Sequence, residues 1–113
     1  MTGEPDDRKL EHCPALVAIG VISGKWKTRI LWQLRSGPIH FGELRRKLKG
    51  VSPKMLTEHL RQLEADGLIR RETETAGRTS MSVYRFTDYG LTLVPALDRL
   101  GEWGAAHERR GSV

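Results

Sequence analysis

The sequence predicts a mainly α fold with one small β-hairpin, in the order α-α-α-α-β-β-α. Three observations lead there. An apolar run at 14–22 is followed by apolar residues at helical spacing across 25–36, 41–48 and 53–66. The period then falls to two at 68–73 and 82–86, either side of the turn-rich TAGRTS. Helical spacing returns after Thr87. The 113 residues amount to one domain.

Taken in order, residues 1–12 read as a loose polar tail. Pro14 suits the first position of a helix, which makes Cys13 its N-cap. That helix, roughly 14–22, is nearly all apolar and is expected to be buried; Ser23-Gly24 breaks it. The next, about 25–36, places Trp26, Ile30, Leu31 and Leu34 on one side and stops at Ser36-Gly37-Pro38. Phe41, Leu44 and Leu48 mark a short amphipathic helix ended by Gly50. Ser52 then caps a helix with Pro53 in its first position, Leu56, Leu60 and Leu63 as its apolar stripe, Met55 and Leu68 in support, and Gly67 just past its end. In the hairpin, Tyr84 and Phe86 alternate onto an inward face, with Arg78 in the tip. Thr87 caps the last helical stretch, where Leu93, Leu97 and Leu100 share a line flanked by Val94 and Trp103. Pro95 is expected to kink or interrupt it, and Gly101 and Gly104 to serve close packing. A short helix, a tight turn and an amphipathic helix make a helix-turn-helix, and the hairpin after it is a wing.

Composition narrows the function classes. Hydrophobic residues at 38% and charged residues at 29% describe a globular chain. The longest apolar run, ALVAIGVI, falls far short of the ~20 residues that span a bilayer. The polar N-terminus does not look like a targeting peptide, so the expected compartment is the cytoplasm. Cys13 is the one cysteine, which rules out an internal disulfide and a multi-cysteine zinc site. The net charge of +5 is unevenly spread: residues 25–71 carry twelve Lys/Arg against four acids, a net of +8. Such a block is either an electrostatic footprint for a polyanion or a solvated face.

No catalytic constellation assembles, and no cofactor or metal is implied. SGKWKT resembles the end of a phosphate-binding loop, but Ile19 stands where the first glycine belongs and Trp26 follows Lys25. His12, His40, His59 and His107 have no metal-ligand spacing, and the acids read as helix-surface partners, Glu43 with Lys47 for example. Cys13 has two readings. At a helix N-terminus its thiolate is favoured and could meet oxidants or electrophiles, with a partner thiol supplied by another subunit or a small molecule; otherwise it is a small, half-buried hydrophobe.

The helix opened by Ser52 is more informative. With Leu56, Leu60 and Leu63 inward, Lys54, Thr57, Glu58 and Arg61 face outward at spacings of three and four. An α-helix fits the major groove, where Arg and Lys pair with guanine, Glu with cytosine, and Thr with a thymine methyl. In isolation this is an ordinary polar face; beside the basic block and the wing, base reading is favoured. Lys25, Lys27, Arg45, Arg46, Lys47 and Ser52 are the candidate phosphate contacts, and Arg78 the wing contact.

The residues also resemble the HxlR family of bacterial winged-helix regulators, relatives of the MarR-like group. The matching pieces are Cys13-Pro14, SGKWK, ILWQL, the long segment FGELRRKLKGVSPKMLTEHLRQLEADGLIRR, VYRFTDYG, and the tail with Pro95 and Glu102-Trp103-Gly104. The resemblance implies a homodimer whose first and last helices pack across the two-fold, with Leu16, Leu93, Leu97, Leu100 and Trp103 in the seam. It places the recognition helices in successive major grooves of an inverted repeat, and it gives Cys13 the position some members use to sense oxidants or electrophiles. In the wing the chain departs from the family: AGRTSM replaces a proline-containing wing, and Val83 stands where Glu is usual. The expected organisation is a tail at 1–12, a winged core at 13–87 and a dimerising segment at 88–113. The partners are double-stranded DNA, a second copy and an oxidant or small-molecule effector, and no membrane. The competing class is a winged helix that binds protein and has no specific DNA target.

Overall fold

The structure, a computed structural model, describes residues 12–111. The expected tail lies, apart from His12, outside them. The elements run α1 (Pro14–Ile22), α2 (Lys25–Leu34), β1 (Ile39–His40), α3 (Phe41–Lys47), α4 (Pro53–Ala65), β2 (Ile69–Ala76), β3 (Thr79–Phe86), α5 (Asp88–Leu91) and α6 (Val94–Gly111). The predicted order holds, with two additions. Ile39-His40 pairs antiparallel with β3 and makes the sheet three-stranded in the order β1-β3-β2. Two residues carry no period, so this strand has no sequence signal. The last helical stretch is two helices: it breaks just before Pro95, which sits in the first turn of α6 where its missing N–H costs nothing.

The caps set the boundaries. Ser52 Oγ accepts from the Met55 N–H at 3.1 Å and opens α4. The other end closes as a Schellman motif: Leu68 N–H donates to Leu63 O at 3.1 Å and Gly67 N–H to Glu64 O at 2.9 Å, with Gly67 at φ +77°. Leu68 is committed to that motif, so β2 begins one residue later. The hairpin strands outrun their apolar part because ladder bonds need only backbone; they pair from Ile69↔Phe86 to Ala76↔Thr79 around Gly77-Arg78. Gly77 has φ +63°, as the first central residue of a type II′ turn requires. Thr87 closes the junction, donating from its hydroxyl to Gly67 O at 2.6 Å and accepting from the Gly90 N–H at 2.9 Å.

One core gathers Ile30, Leu31, Leu34, Leu44, Leu48, Leu56, Leu60, Leu63, Ile69, Tyr84 and Phe86. Leu97 of α6 belongs to it too, and this corrects its place in a dimer seam: it is buried inside its own chain. Two close approaches lock the C-terminal segment on. A Cβ at Gly90 would sit 1.9 Å from Leu68 O, and one at Gly101 would sit 2.3 Å from the Trp32 ring. Packing thus explains Gly101; Gly104 has nothing within 4 Å and is not explained that way in a single chain. Arg35 lies over the Trp32 ring at 3.6 Å and pairs with Asp98 at 2.8 Å, tying α2 to α6.

A second correction concerns α1. It was expected to be buried, yet only Ile22 is; Leu16 is 62% exposed, Val17 55% and Ile19 53%. The chain offers α1 contact only at its C-terminal end, where Val21 and Ile22 meet the core. The expected Glu43–Lys47 pair is also absent from the ion pairs among the described residues.

Candidate nucleic-acid interface

α4 buries Leu56, Leu60 and Leu63 completely, which rolls Lys54, Glu58 and Arg61 into solvent and leaves Thr57 half-buried beside them. Met55, expected to support the stripe, is 39% exposed. Ahead of α4, Leu48 and Val51 anchor the turn in the core, and Gly50 turns the chain at φ +95°. Arg45, Arg46 and Lys47 occupy the last turn of α3, where cations complement the helix dipole, and all three are exposed. Arg45 and Arg46 line an open cleft of about 550 Å³ with Phe41, Gly42, Gly50 and Val51.

Trp26 backs this surface. Its ring carries the Lys25 ammonium at 4.7 Å and the Arg29 guanidinium at 5.6 Å, and its edge lies 3.9 Å from where a Cβ of Gly50 would be. The stacked cations are held beside the turn with their charge still outward. Sequence reasoning found Lys25 and missed Arg29, whose signal was its place four residues after Lys25 on one helix face. Lys27 is half-buried, and Arg78 stands exposed at the tip of the wing.

The sheet divides the remaining charges by face. On its outer face Arg70 and Arg85 both pair with Glu72, and His40 reaches Glu74 at 2.9 Å across the middle strand. Val83, the departure noted in the wing, is buried on that face between them. On the inner face Arg71 is paired in register with Tyr84. These two, with Thr57, Leu60, Arg61 and Glu64 of α4, line a crevice of about 170 Å³. Burial pushes the Tyr84 phenol above its ordinary value and Glu64 adds to this, while Arg71 and Arg61 pull the other way. Arg71 was not singled out from sequence: it is exposed, and that it shares a face with Tyr84 is invisible until register is known.

Cys13 caps α1 as expected, but without a side-chain hydrogen bond, and is exposed rather than half-buried. Of the expected seam, Leu16, Leu100 and Trp103 are exposed, the last at 68%, and Leu93 is half-buried. No helix among the described residues is long and apolar enough to cross a membrane.

Comparison with known proteins agrees with this geometry. Residues 21–112 match the model of the HxlR-like helix-turn-helix. An HTH-type transcriptional regulator of Methanothermobacter thermautotrophicus is 41% identical over 101 residues, covering 88% of this chain and 73% of its own. Among solved structures, the redox regulator HypR in its reduced form superposes with a TM-score of 0.78 at 34% identity, over 85% of this chain and 94% of its own. The reduced form of the regulator YodB from B. subtilis superposes at 0.70 with 26% identity, over 81% and 90%. This chain belongs to the HxlR-like family of helix-turn-helix transcriptional regulators.

Proposed function

We propose that the protein is a homodimer that reads an inverted-repeat operator in the cytoplasm, with Lys54, Thr57 and Glu58 on base edges and Lys25, Arg45, Arg46 and Lys47 on phosphates. The observation that carries this is the free polar face of α4, set at its N-terminal half between a basic surface and a wing. Helix-turn-helix proteins read bases with that part of the helix. Leu16, Val17, Ile19, Leu100 and Trp103 are the apolar surface for a second copy. The two recognition helices then meet half-sites ~34 Å apart.

Fluorescence anisotropy against DNA from upstream of the protein's own gene, at several salt concentrations and with scrambled competitor, tests the reading. Saturable binding that survives the competitor, with log K falling steeply against log salt, is expected. Binding that the competitor erases favours the protein-binding alternative. So does binding that Arg45→Ala/Arg46→Ala leaves unchanged.

A second reading, redox response, is favoured by the exposure of Cys13 beside the apolar face of α1. An oxidant such as diamide takes two electrons and two protons from a pair of thiols, either two Cys13 across the dimer or Cys13 and a small thiol, leaving a disulfide. Oxidation is then expected to change operator affinity in the native protein and not in Cys13→Ser. Equal responses of the two remove this role.

A further inference from the structure

We propose that Arg61, Arg71 and Tyr84 form a seat for one phosphodiester oxyanion of DNA, so that Arg61 positions the duplex and does not read a base. This rests on the DNA-binding reading above and deepens it. Three independent features of the molecule lead to it.

The first is position along α4. Lys54 is the second of thirteen residues and Arg61 the ninth. At 1.5 Å per residue they lie ~10 Å apart along the axis. When Lys54 is deep in the groove, Arg61 is near the rim, at the level of the phosphates.

The second is pairing. Among the described residues, Arg70 and Arg85 have Glu72 within ion-pair distance, and Arg35 has Asp98. Among the described residues Arg61 and Arg71 have no carboxylate that close, yet both line one crevice. With Glu64 also in the lining, the side chains around the crevice carry two cations and one anion, a net of +1. One phosphodiester balances it.

The third is the sheet. Arg71 sits on its inner face, in line with the buried Ile69, and faces Tyr84 across the ladder. Arg71 is exposed and its guanidinium hydrogen-bonds the Tyr84 phenol, so the two groups are held together at the crevice mouth while the other guanidinium donors remain open to a partner outside the chain. The raised Tyr84 phenol stays protonated at neutral pH and has an O–H to donate. Two guanidinium forks and a phenol are a donor set that suits a phosphate, and a crevice of about 170 Å³ far exceeds the ~30 Å³ share of one water.

The test uses the full chain, a random-sequence duplex and the operator, titrated across salt with the native protein, Arg61→Ala, Arg71→Gln, their double variant and Tyr84→Phe. Circular dichroism and melting confirm folding, and Tyr84→Phe keeps the ring that packs in the core. The expected result is a loss of about tenfold for either arginine variant, in the same ratio on both duplexes. The salt slope becomes shallower by about one unit in the double variant and no more, because both arginines serve one phosphate. Relaxed preference at a single base pair in Arg61→Ala, with an unchanged salt slope, overturns the proposal and restores base reading. Unchanged duplex binding in Arg71→Gln and Tyr84→Phe also overturns it. So does stabilisation by inorganic phosphate that Arg71→Gln abolishes while its duplex binding stays native, because the seat would then serve a free anion. If the native protein binds neither duplex, the DNA-binding reading itself has failed, and this proposal falls with it.

Discussion

Helices α1 and α4 are both rich in apolar residues, and they end in opposite situations. α4 keeps its apolar residues in one stripe, buries Leu56, Leu60 and Leu63 to within 1% of full burial, and leaves its other side to solvent. α1 is apolar nearly all round and leaves Leu16, Val17 and Ile19 more than half exposed. Hydrophobicity states that a surface is to be covered; periodicity states whether one neighbour suffices. A single apolar stripe is satisfied inside one chain, so α4 keeps a free polar face for DNA. A helix apolar all round needs cover on two sides, and this chain supplies only the contact at Val21 and Ile22.

The sharpest way to break that contrast is to truncate each helix. Leu60→Ala in α4 removes a fully buried side chain and is expected to cost about 2–5 kcal/mol, read as a lower midpoint in urea. Leu16→Glu in α1 should leave the fold of the chain almost untouched and act on association. Losing the burial of one leucine weakens the dimer by roughly 1.5–3 kcal/mol, more than tenfold in the dimer dissociation constant by sedimentation. A Leu16→Glu protein that stays dimeric at native affinity while Leu60→Ala unfolds would place the second copy on some other surface.

That contrast also marks what the sequence made legible. The α4 stripe, its Ser52 cap and its Gly67 stop are local signals, and each lies where local chemistry put it. Leu97 was misplaced because α6 has apolar residues on two sides. Leu93, Leu97 and Leu100 share a line by spacing alone, and only the packing of Gly101 against Trp32 rotates Leu97 inward and leaves Leu100 out. β1 was invisible because a two-residue strand exists only through its partner. At the candidate site, Lys54, Thr57 and Glu58 follow from the helical period. The crevice with Arg71 depends on long-range register between β2 and the sheet, which no local pattern encodes.

Two glycines sharpen the comparison between the chain's own core and its uncovered face. Gly90→Ala drives a methyl into the Leu68 carbonyl and is expected to destabilise by about 1–3 kcal/mol in chemical denaturation. Gly104→Ala meets nothing within the chain, so the gain in helix propensity, up to about 1 kcal/mol, should appear as a higher melting temperature. If Gly104→Ala instead loosens the dimer, Gly104 lies in the seam, and the sign of its effect separates chain stability from association.

The smallest expected effect tests whether the polar face of α4 is prepared before DNA arrives. Ser52 Oγ is the side-chain partner of the Met55 N–H, in the turn that carries Lys54. Ser52→Ala is expected to cost about 1 kcal/mol of stability, because one N-terminal donor loses its acceptor. Most of that cost falls on the first turn, since Leu56 holds the rest of the helix in the core. Fraying there should reduce operator affinity a few-fold while random-duplex affinity barely moves, because phosphate contacts from α3 do not depend on that turn. Equal losses on both duplexes would mean that Ser52 Oγ itself holds a phosphate, and its capping bond would then be exchanged on binding. Unchanged binding with lowered stability would show that Lys54 reaches its base from a frayed turn as readily as from a formed one, and base reading would then begin at Thr57, one turn further into the helix.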